Sequence, residues 1–185
     1  MKNFEEIKKE IENIIISYDG KNELPHAIGT LNWVLKIRPD ADDALKISAF
    51  AHDIERCVVK HEKSSDYLIV NEFDKYQILK QEHADKGAEI VVNILGKYDV
   101  SEAEKQRVKY LISHHEVGGN NDADVLCDAD SLSYLLDNFI GYLDKYGTDR
   151  AKVKLEWMYG RMSERGKELG LEFYNEALRK LGDSG

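Results

Sequence analysis

The distribution of proline most constrains how this chain folds. Its two prolines, Pro25 and Pro39, both lie within the first 40 of 185 residues. Proline breaks the hydrogen-bond ladder of a helix interior, so nothing after Pro39 prevents a long succession of helices. No segment alternates apolar and polar residues between hairpin turns, as a strand with one buried face would. The sequence therefore predicts an all-α protein.

Apolar residues recur at helical spacing along most of the chain. The first stripe contains Phe4, Ile7, Ile11, Ile14 and Ile15, at steps of three and four residues. No repeat, low-complexity tract or linker interrupts the pattern, so we expect a single domain over residues 1–185. We predict further helices that begin at Pro25, at Asp40 as N-cap and at the capping box Ser101–Glu104, helices over 81–98, 122–146 and 149–181, and one or two short helices within 62–80.

Composition and charge exclude several classes of protein. Apolar residues make up 42% of the chain, which is enough for a core, but no run approaches the ~18 residues of a membrane-spanning helix. The chain has 26 basic and 35 acidic residues, for a net charge of -9. Binding to duplex nucleic acid or to an anionic membrane requires clustered Lys and Arg, so we expect neither partner. A small anion can still bind at a local basic or metallic site.

The cysteines and the first residues bear on the cellular compartment. Cys57 and Cys127 form no CxxC pair, and the N-terminal sequence MKNFEEIKKE is charged and lacks the apolar stretch of a signal peptide. We therefore expect a cytoplasmic protein, with Cys127 a small buried residue.

Imidazoles and carboxylates recur within apolar helical segments. His52 and Asp53 follow Phe50-Ala51, and Asp128 and Asp130 lie in the segment VLCDADSL. A buried carboxylate is costly unless a cation or hydrogen bonds compensate. Mixed His and Asp sites suit Fe, Mn, Zn or Co. The alternative for any one of these residues is a satisfied core or capping side chain. Further imidazoles in or beside apolar segments are His26, His83, His114 and His115.

The order of these residues resembles the HD-domain superfamily of metal-dependent phosphohydrolases. The resemblance rests on His26, on His52-Asp53 in FAHDIER and on Asp128 in VLCDADSL. The segment HADKGA, which contains His83, is similar to the H-x-x-x-G-A element of members that bind two metals, and ISHHE resembles the I-x-H-H-E element shared with the HD-GYP branch. The resemblance implies a helical bundle of the HD type, with a motif core over 26–132 and C-terminal helices over 133–182 packed on it.

The resemblance also implies a ligand set. The first metal would be held by His26, His52, Asp53 and Asp128, and Asp53 would bridge to a second metal held by His83 and His114. The ions would be two divalent cations, from among Fe, Mn, Zn, Co and Mg. His115 would be a third-metal ligand, a substrate contact or neither. The chain departs from the HD-GYP branch at two points: Asn22 stands in place of Glu, and Gly-Tyr-Pro is absent after HHE. These departures argue against a third metal and against cyclic-dinucleotide specificity.

Charged residues beside these motifs are candidates for catalysis and substrate binding. Arg56 lies one helical turn after His52 and would clamp a phosphate, or else form a surface ion pair with Glu55. The candidate catalytic residues are Asp53, Glu55 and Arg56. Glu55 would accept a hydrogen bond from a ligand imidazole or shuttle protons, or else it would be a solvated helix residue. Lys86 would meet an anionic substrate, as would His115, or Lys86 would be a solvated lysine. Asp130 is expected behind the ligands or as a cap.

The function that the resemblance implies is hydrolysis of a phosphoester. A metal-activated hydroxide would attack a small anionic substrate, with nucleotides among the candidates. One alternative is an HD-type diiron oxygenase, and another is a non-catalytic module that contains metal and binds a ligand. The sequence identifies neither the substrate nor the metal nor the oligomeric state.

Overall fold

Helices are the regular elements of residues 1–17, 23–59 and 68–183, which the computed structural model describes. The chain is 82% helical without strands in that part, so the prediction of a single all-α domain is confirmed. The elements are α1 (Phe4–Ser17), α2 (Glu23–Ile37), α3 (Asp43–Ala51), α4 (Glu55–Val58), α5 (Leu68–Asn71), α6 (Phe73–Leu95), α7 (Glu102–Ser113), α8 (Asn121–Ser133), a π-helical turn (Tyr134–Asn138), α9 (Phe139–Tyr146), α10 (Thr148–Gly160) and α11 (Glu164–Asp183). No helix among these described elements is long and apolar enough to cross a membrane.

Side-chain caps fix several helix starts. The capping box of α7 is confirmed: Ser101 accepts from the Glu104 N–H, and the Glu104 carboxylate accepts from the Ser101 N–H. Asp42, not Asp40, caps α3, and its carboxylate accepts from the Leu45 N–H at 3.0 Å. Between α7 and α8, Gly118 has a φ of 72°, a conformation that favours glycine. The chain therefore turns tightly between these two helices.

Helix α3 lies between two apolar clusters. Leu45 and Ala49 belong to a cluster with residues of α2 and of α8 to α11. Ile47 and Phe50 belong to a second cluster with residues of α1, α6 and α7. Because the end of α3 is enclosed on both sides, the residues that follow it lie at the centre of the bundle.

The C-terminal helices are more broken than the sequence pattern predicts. The predicted helix over 122–146 contains the π-helical turn, in which the Phe139 N–H donates to the Tyr134 carbonyl five residues earlier. The predicted helix over 149–181 is interrupted between Gly160 and Glu164. At this break the Ser163 hydroxyl accepts from the Gly166 N–H at 3.1 Å and starts α11. The helix predicted over 81–98 is part of α6, while residues 60–67, including His61, lie outside the described residues.

Candidate metal centre

Imidazoles and carboxylates from five parts of the chain meet where α3 ends. Three overlapping groups have ligand atoms within 4.8 Å of one another: His26, His52 and Asp53; Asp53, His83 and His115; and His115, Glu116 and Asp130. His26 lies on α2, His83 on α6 and Asp130 on α8, whereas the other members lie in the turns after α3 and α7. These buried clusters are compatible with bound metal ions.

Two of the imidazoles are oriented by backbone carbonyls of the preceding helix. The Nδ1 of His52 lies 2.9 Å from the Ala49 carbonyl oxygen, and the Nδ1 of His115 lies 2.7 Å from the Ile112 carbonyl oxygen. A carbonyl can only accept, so each Nδ1 carries the hydrogen. When such a ring is neutral, its Nε2 atom carries the lone pair and faces the cluster.

The other two imidazoles are oriented by side chains. The Nδ1 of His83 donates to the buried Glu55 carboxylate at 2.7 Å, and the Nδ1 of His26 lies 3.1 Å from the Ser133 hydroxyl. A carboxylate behind an imidazole fixes the ring and increases its basicity, as it does behind metal-bound histidines. Glu55 therefore lies behind His83 as an acceptor.

The four Nε2 atoms converge on carboxylate oxygens. The Nε2 of His26 lies 2.9 Å from Asp130 Oδ1 and 3.3 Å from the Nε2 of His52. The Nε2 of His83 lies 2.8 Å from Asp53 Oδ1. The Nε2 of His115 lies 3.8 Å from the same oxygen and 3.3 Å from Glu116 Oε1, and it is buried with no hydrogen-bond partner among the described residues.

The lone Nε2 of His115 fits a cation best. Burial lowers the pKa of His115 more than the Glu116 charge raises it, so the ring stays neutral. A neutral Nε2 directs its lone pair at the oxygens of Asp53 and Glu116, which is repulsive without a positive charge between them. Buried polar atoms without partners are rare and call for an explanation. A metal ion bound by these atoms would supply one.

Cations hold two of the carboxylates from behind. The buried Arg161 donates to both Asp130 and Glu116, and Lys80 forms an ion pair with Glu116. Burial raises the pKa of each carboxyl, but Arg161, with Lys80 at Glu116, lowers both pKa values well below the usual range. Both groups therefore remain ionised although they are buried.

Asp53 connects the two halves of the centre. Arg56 Nε lies 3.4 Å from Asp53 Oδ2, and burial of Asp53 is outweighed by Arg56, His52 and His83, which keep its pKa well below the usual value. Burial alone would lower the pKa of His52, but the charges of Asp53 and Asp130 outweigh this effect and raise the pKa to about 9. The carboxylates thus attract positive charge to the Nε2 of His52.

Two expected ligands lie outside this cluster. The Nδ1 of His114 donates to the Tyr110 carbonyl at 2.8 Å, and its ring stacks on Tyr110 at 4.0 Å. Asp128 accepts from the N–H of Ser163 at 2.7 Å and from its hydroxyl at 2.5 Å. Asp128 therefore stabilises the break before α11. His115 and Asp130, rather than His114 and Asp128, therefore belong to the cluster.

Helical geometry explains one of these two differences. Residues two apart in a helix point about 200° apart, so Asp128 and Asp130, both on α8, do not both face the cluster. His114 and His115 follow α7, and their Nδ1 atoms donate to different carbonyls, those of Tyr110 and Ile112, which direct the two rings apart. The sequence motif contains both candidates of each pair, and only the packing of α7 and α8 selects between them.

A cleft of about 350 Å³ opens onto the cluster. Its floor includes His26, Asp53, Glu116 and Asp130, its basic residues are Arg56, Lys80, Lys145 and Lys154, and its outer wall includes Asp137, Asn138, Gly141, Tyr142 and Tyr146. Arg56 therefore lines the same cleft as the cluster. Lys86 is exposed and does not line this cleft, so its expected substrate contact is not supported.

Sequence reasoning missed four residues of the site. Glu116 was part of the HHE element but was given no role. Lys80, Lys154 and Arg161 carried no motif, and Arg161 fell inside a segment predicted to be one continuous helix. The signal that could have indicated these residues is charged side chains on partly apolar helices. Solvated helix surfaces show the same pattern, so it does not identify a site.

Comparison with known proteins gives one match. The sequence profile of DUF4202, described as a domain of unknown function, matches residues 5–181. Searches of curated proteins and of solved structures found no similar protein. Because the matched segment covers nearly the whole chain, the chain belongs to the DUF4202 family.

Proposed function

We propose that this protein is a metal-dependent phosphohydrolase that cleaves a phosphoester of a small anionic substrate. The observation that carries the proposal is the set of four imidazoles whose Nδ1 atoms are fixed by protein oxygens while their Nε2 atoms converge on Asp53 and Asp130. The order of motifs that resembles the HD-domain superfamily agrees with it.

The donor set divides into two groups that share Asp53. One cation would be held by His26, His52, Asp53 and Asp130, and a second by Asp53, His83 and His115. Glu116 is less suited to be a ligand, because Lys80 and Arg161 already neutralise its two oxygens. Nitrogen and carboxylate ligands in this ratio suit Fe, Mn, Zn or Co. When bound, a pair of such cations would neutralise phosphoryl oxygens and lower the pKa of a water molecule.

The remaining residues of the cleft suit an anionic substrate. Arg56, Lys80 and Lys154 line the same cleft as Asp53 and Asp130, so a phosphate group would meet positive charge close to the candidate ligands. Arg56 is 41% exposed in its side chain and can present its planar fork to two phosphate oxygens. A cleft of about 350 Å³ is large enough for a small metabolite. Glu55 keeps His83 in its tautomer and orientation.

The test is metal analysis followed by an activity screen. The purified protein should contain a transition metal, and the metal-loaded form should hydrolyse members of a panel of phosphorylated metabolites. Asp130→Asn should lose metal and activity, whereas Asp128→Asn, the matched control two residues away, should keep its metal. Metal-loaded protein that hydrolyses no phosphoester would refute the proposal.

The same experiment distinguishes a second candidate function. A centre with four histidines also suits a pair of iron ions, the arrangement expected of the HD-type oxygenases. Stoichiometric iron together with substrate-dependent oxygen uptake would support that function. Bound metal with neither activity would favour the non-catalytic ligand-binding module.

A further inference from the structure

One buried amine in the cleft has no role in the proposed metal centre. Lys154, on α10, is only 7% exposed, and its Nζ donates to the Tyr76 hydroxyl at 2.8 Å. Among the described residues, no carboxylate forms an ion pair with it. An ammonium group has three N–H donors, so a single hydroxyl leaves its charge uncompensated.

Aromatic rings and other cations surround this amine. Its Nζ lies 4.4 Å from the ring centre of Trp157, 5.5 Å from that of Tyr76 and 5.6 Å from that of Tyr134. Burial and the positive charge of Lys80 lower the pKa of Lys154 to about 7, although the charge of Glu116 raises it in part. The rings attract the ammonium through cation–π contacts, but burying a cation without an ionic partner costs free energy. Stability alone therefore gives no reason for a lysine at this position.

The other basic groups around the centre already have acidic partners. Arg161 pairs with Asp130 and Glu116, Lys80 with Glu116, and Arg56 with Asp53. Lys154 lines the cleft together with Asp53 and Asp130. The carboxylate whose charge does reach Lys154, Glu116, already pairs with Lys80 and Arg161. An anion in the cleft would provide Lys154 with a partner of its own.

We infer that Lys154, positioned by Tyr76, is a binding site for a phosphate oxyanion at the inner end of the cleft. The inference rests on the proposed function in one respect: the anion is taken to be the phosphate group of the substrate or the inorganic phosphate released from it. Phosphate fits because its several oxygens can accept from Lys154 and from Arg56 at the same time. The aromatic rings exclude water from the amine, which strengthens its attraction for an anion.

The test uses inorganic phosphate as the probe and the metal-loaded full chain as the protein. Lys154→Met removes the charge and retains an unbranched apolar side chain. Isothermal titration should show phosphate binding weakened ~10- to 150-fold, the range for a hydrogen bond to a charged group. Metal content should not change. The melting temperature should stay equal or rise, because an uncompensated buried cation has been removed.

Two further variants keep the result interpretable. Lys152→Met changes an exposed lysine on the same helix and should bind phosphate like the unmodified protein. Tyr76→Phe removes the hydroxyl that positions the amine and should weaken phosphate binding by less than Lys154→Met does. Unchanged phosphate affinity in Lys154→Met would overturn the inference, and so would a loss of affinity that accompanies loss of metal.

Failure of this inference and failure of the proposed function give different results. Phosphate binding that depends on Lys154, in a protein that hydrolyses no phosphoester, would support the inference and refute the hydrolase. Hydrolysis with an unchanged KM in Lys154→Met would support the hydrolase and overturn the inference.

Discussion

Arg161 should be a large single contributor to the stability of the centre. Its side chain is only 6% exposed and donates to one oxygen of Asp130, to one oxygen of Glu116 and to the Ser131 hydroxyl. Arg161→Met would leave two buried carboxylate oxygens without their charged donor. Lys80 would still hold the other oxygen of Glu116, and His26 would still hold that of Asp130.

The expected loss follows from these contacts. Each hydrogen bond to a charged group contributes ~1.5–3 kcal/mol, so losing two costs ~3–6 kcal/mol. Removing one partner of a buried ion pair costs ~3–5 kcal/mol, which agrees. For a chain of this size, such a loss corresponds to a fall in melting temperature of about 6–20 °C.

The assay is urea denaturation of chelator-treated protein, so that metal binding does not contribute to the difference. The control is Arg179→Met. Arg179 is exposed on α11, and its guanidinium donates to the carbonyl of Asn175 in its own helix, so this change should alter the unfolding free energy by less than ~0.5 kcal/mol. If Arg161→Met stays within that same range, the reasoning is refuted. Arg161→Lys should fall between the two, because it keeps the charge but not the planar fork.

Three other predictions concern the centre and its cleft. His115→Ala should weaken metal binding ~10- to 100-fold or more, whereas His114→Ala should leave it nearly unchanged; equal effects measured by metal titration would mean that the ligand pair is wrongly assigned. Gly141 lines the cleft, and a Cβ added there would meet nothing within 4 Å, so Gly141→Phe should fill part of the cleft and lower kcat/KM at least ~10-fold. Gly160 is equally open but does not line the cleft, so Gly160→Phe should leave kcat/KM unchanged. The pKa of Lys154 is lowered to about 7 in the fold, so above pH 7 this residue binds fewer protons in the folded than in the unfolded state and favours folding as pH rises from about 7 toward 10. The pKa of His52, raised to about 9, acts in the opposite direction over part of this range. In urea denaturation of chelator-treated protein, the unmodified chain should therefore gain stability relative to Lys154→Met as pH rises.

The sequence predicted the fold class because its signals are local. Helical spacing of apolar residues and the capping box at Ser101 act within a few residues of the chain, and both are confirmed. The break before α11 depends on Asp128, which is 35 residues from Ser163 in sequence. No proline or glycine marks the segment Arg161–Ser163, so the pattern alone favoured a continuous helix.

The candidate site could be predicted to within one or two residues. His26, His52, Asp53 and His83 lie in the cluster as the motif order implied. The choice between His114 and His115 depends on the turn that follows α7, whose position long-range packing sets. Lys154 and Arg161 reach the site through the packing of α10 against α5, α9 and α11, which no local pattern encodes.

The π-helical turn at Tyr134–Asn138 separates two parts of the candidate site along one continuous stretch of helix. Upstream of it, Asp130 and Ser133 are fixed to the imidazole of His26. Downstream, Gly141 and Tyr142 form the outer wall of the cleft. A wide turn contains one residue more than an α-helical turn, so removing a residue here would rotate everything after it by about 100°. An insertion or deletion at this point would therefore reorient Gly141 and Tyr142 relative to Asp130, and with them the cleft relative to the cluster.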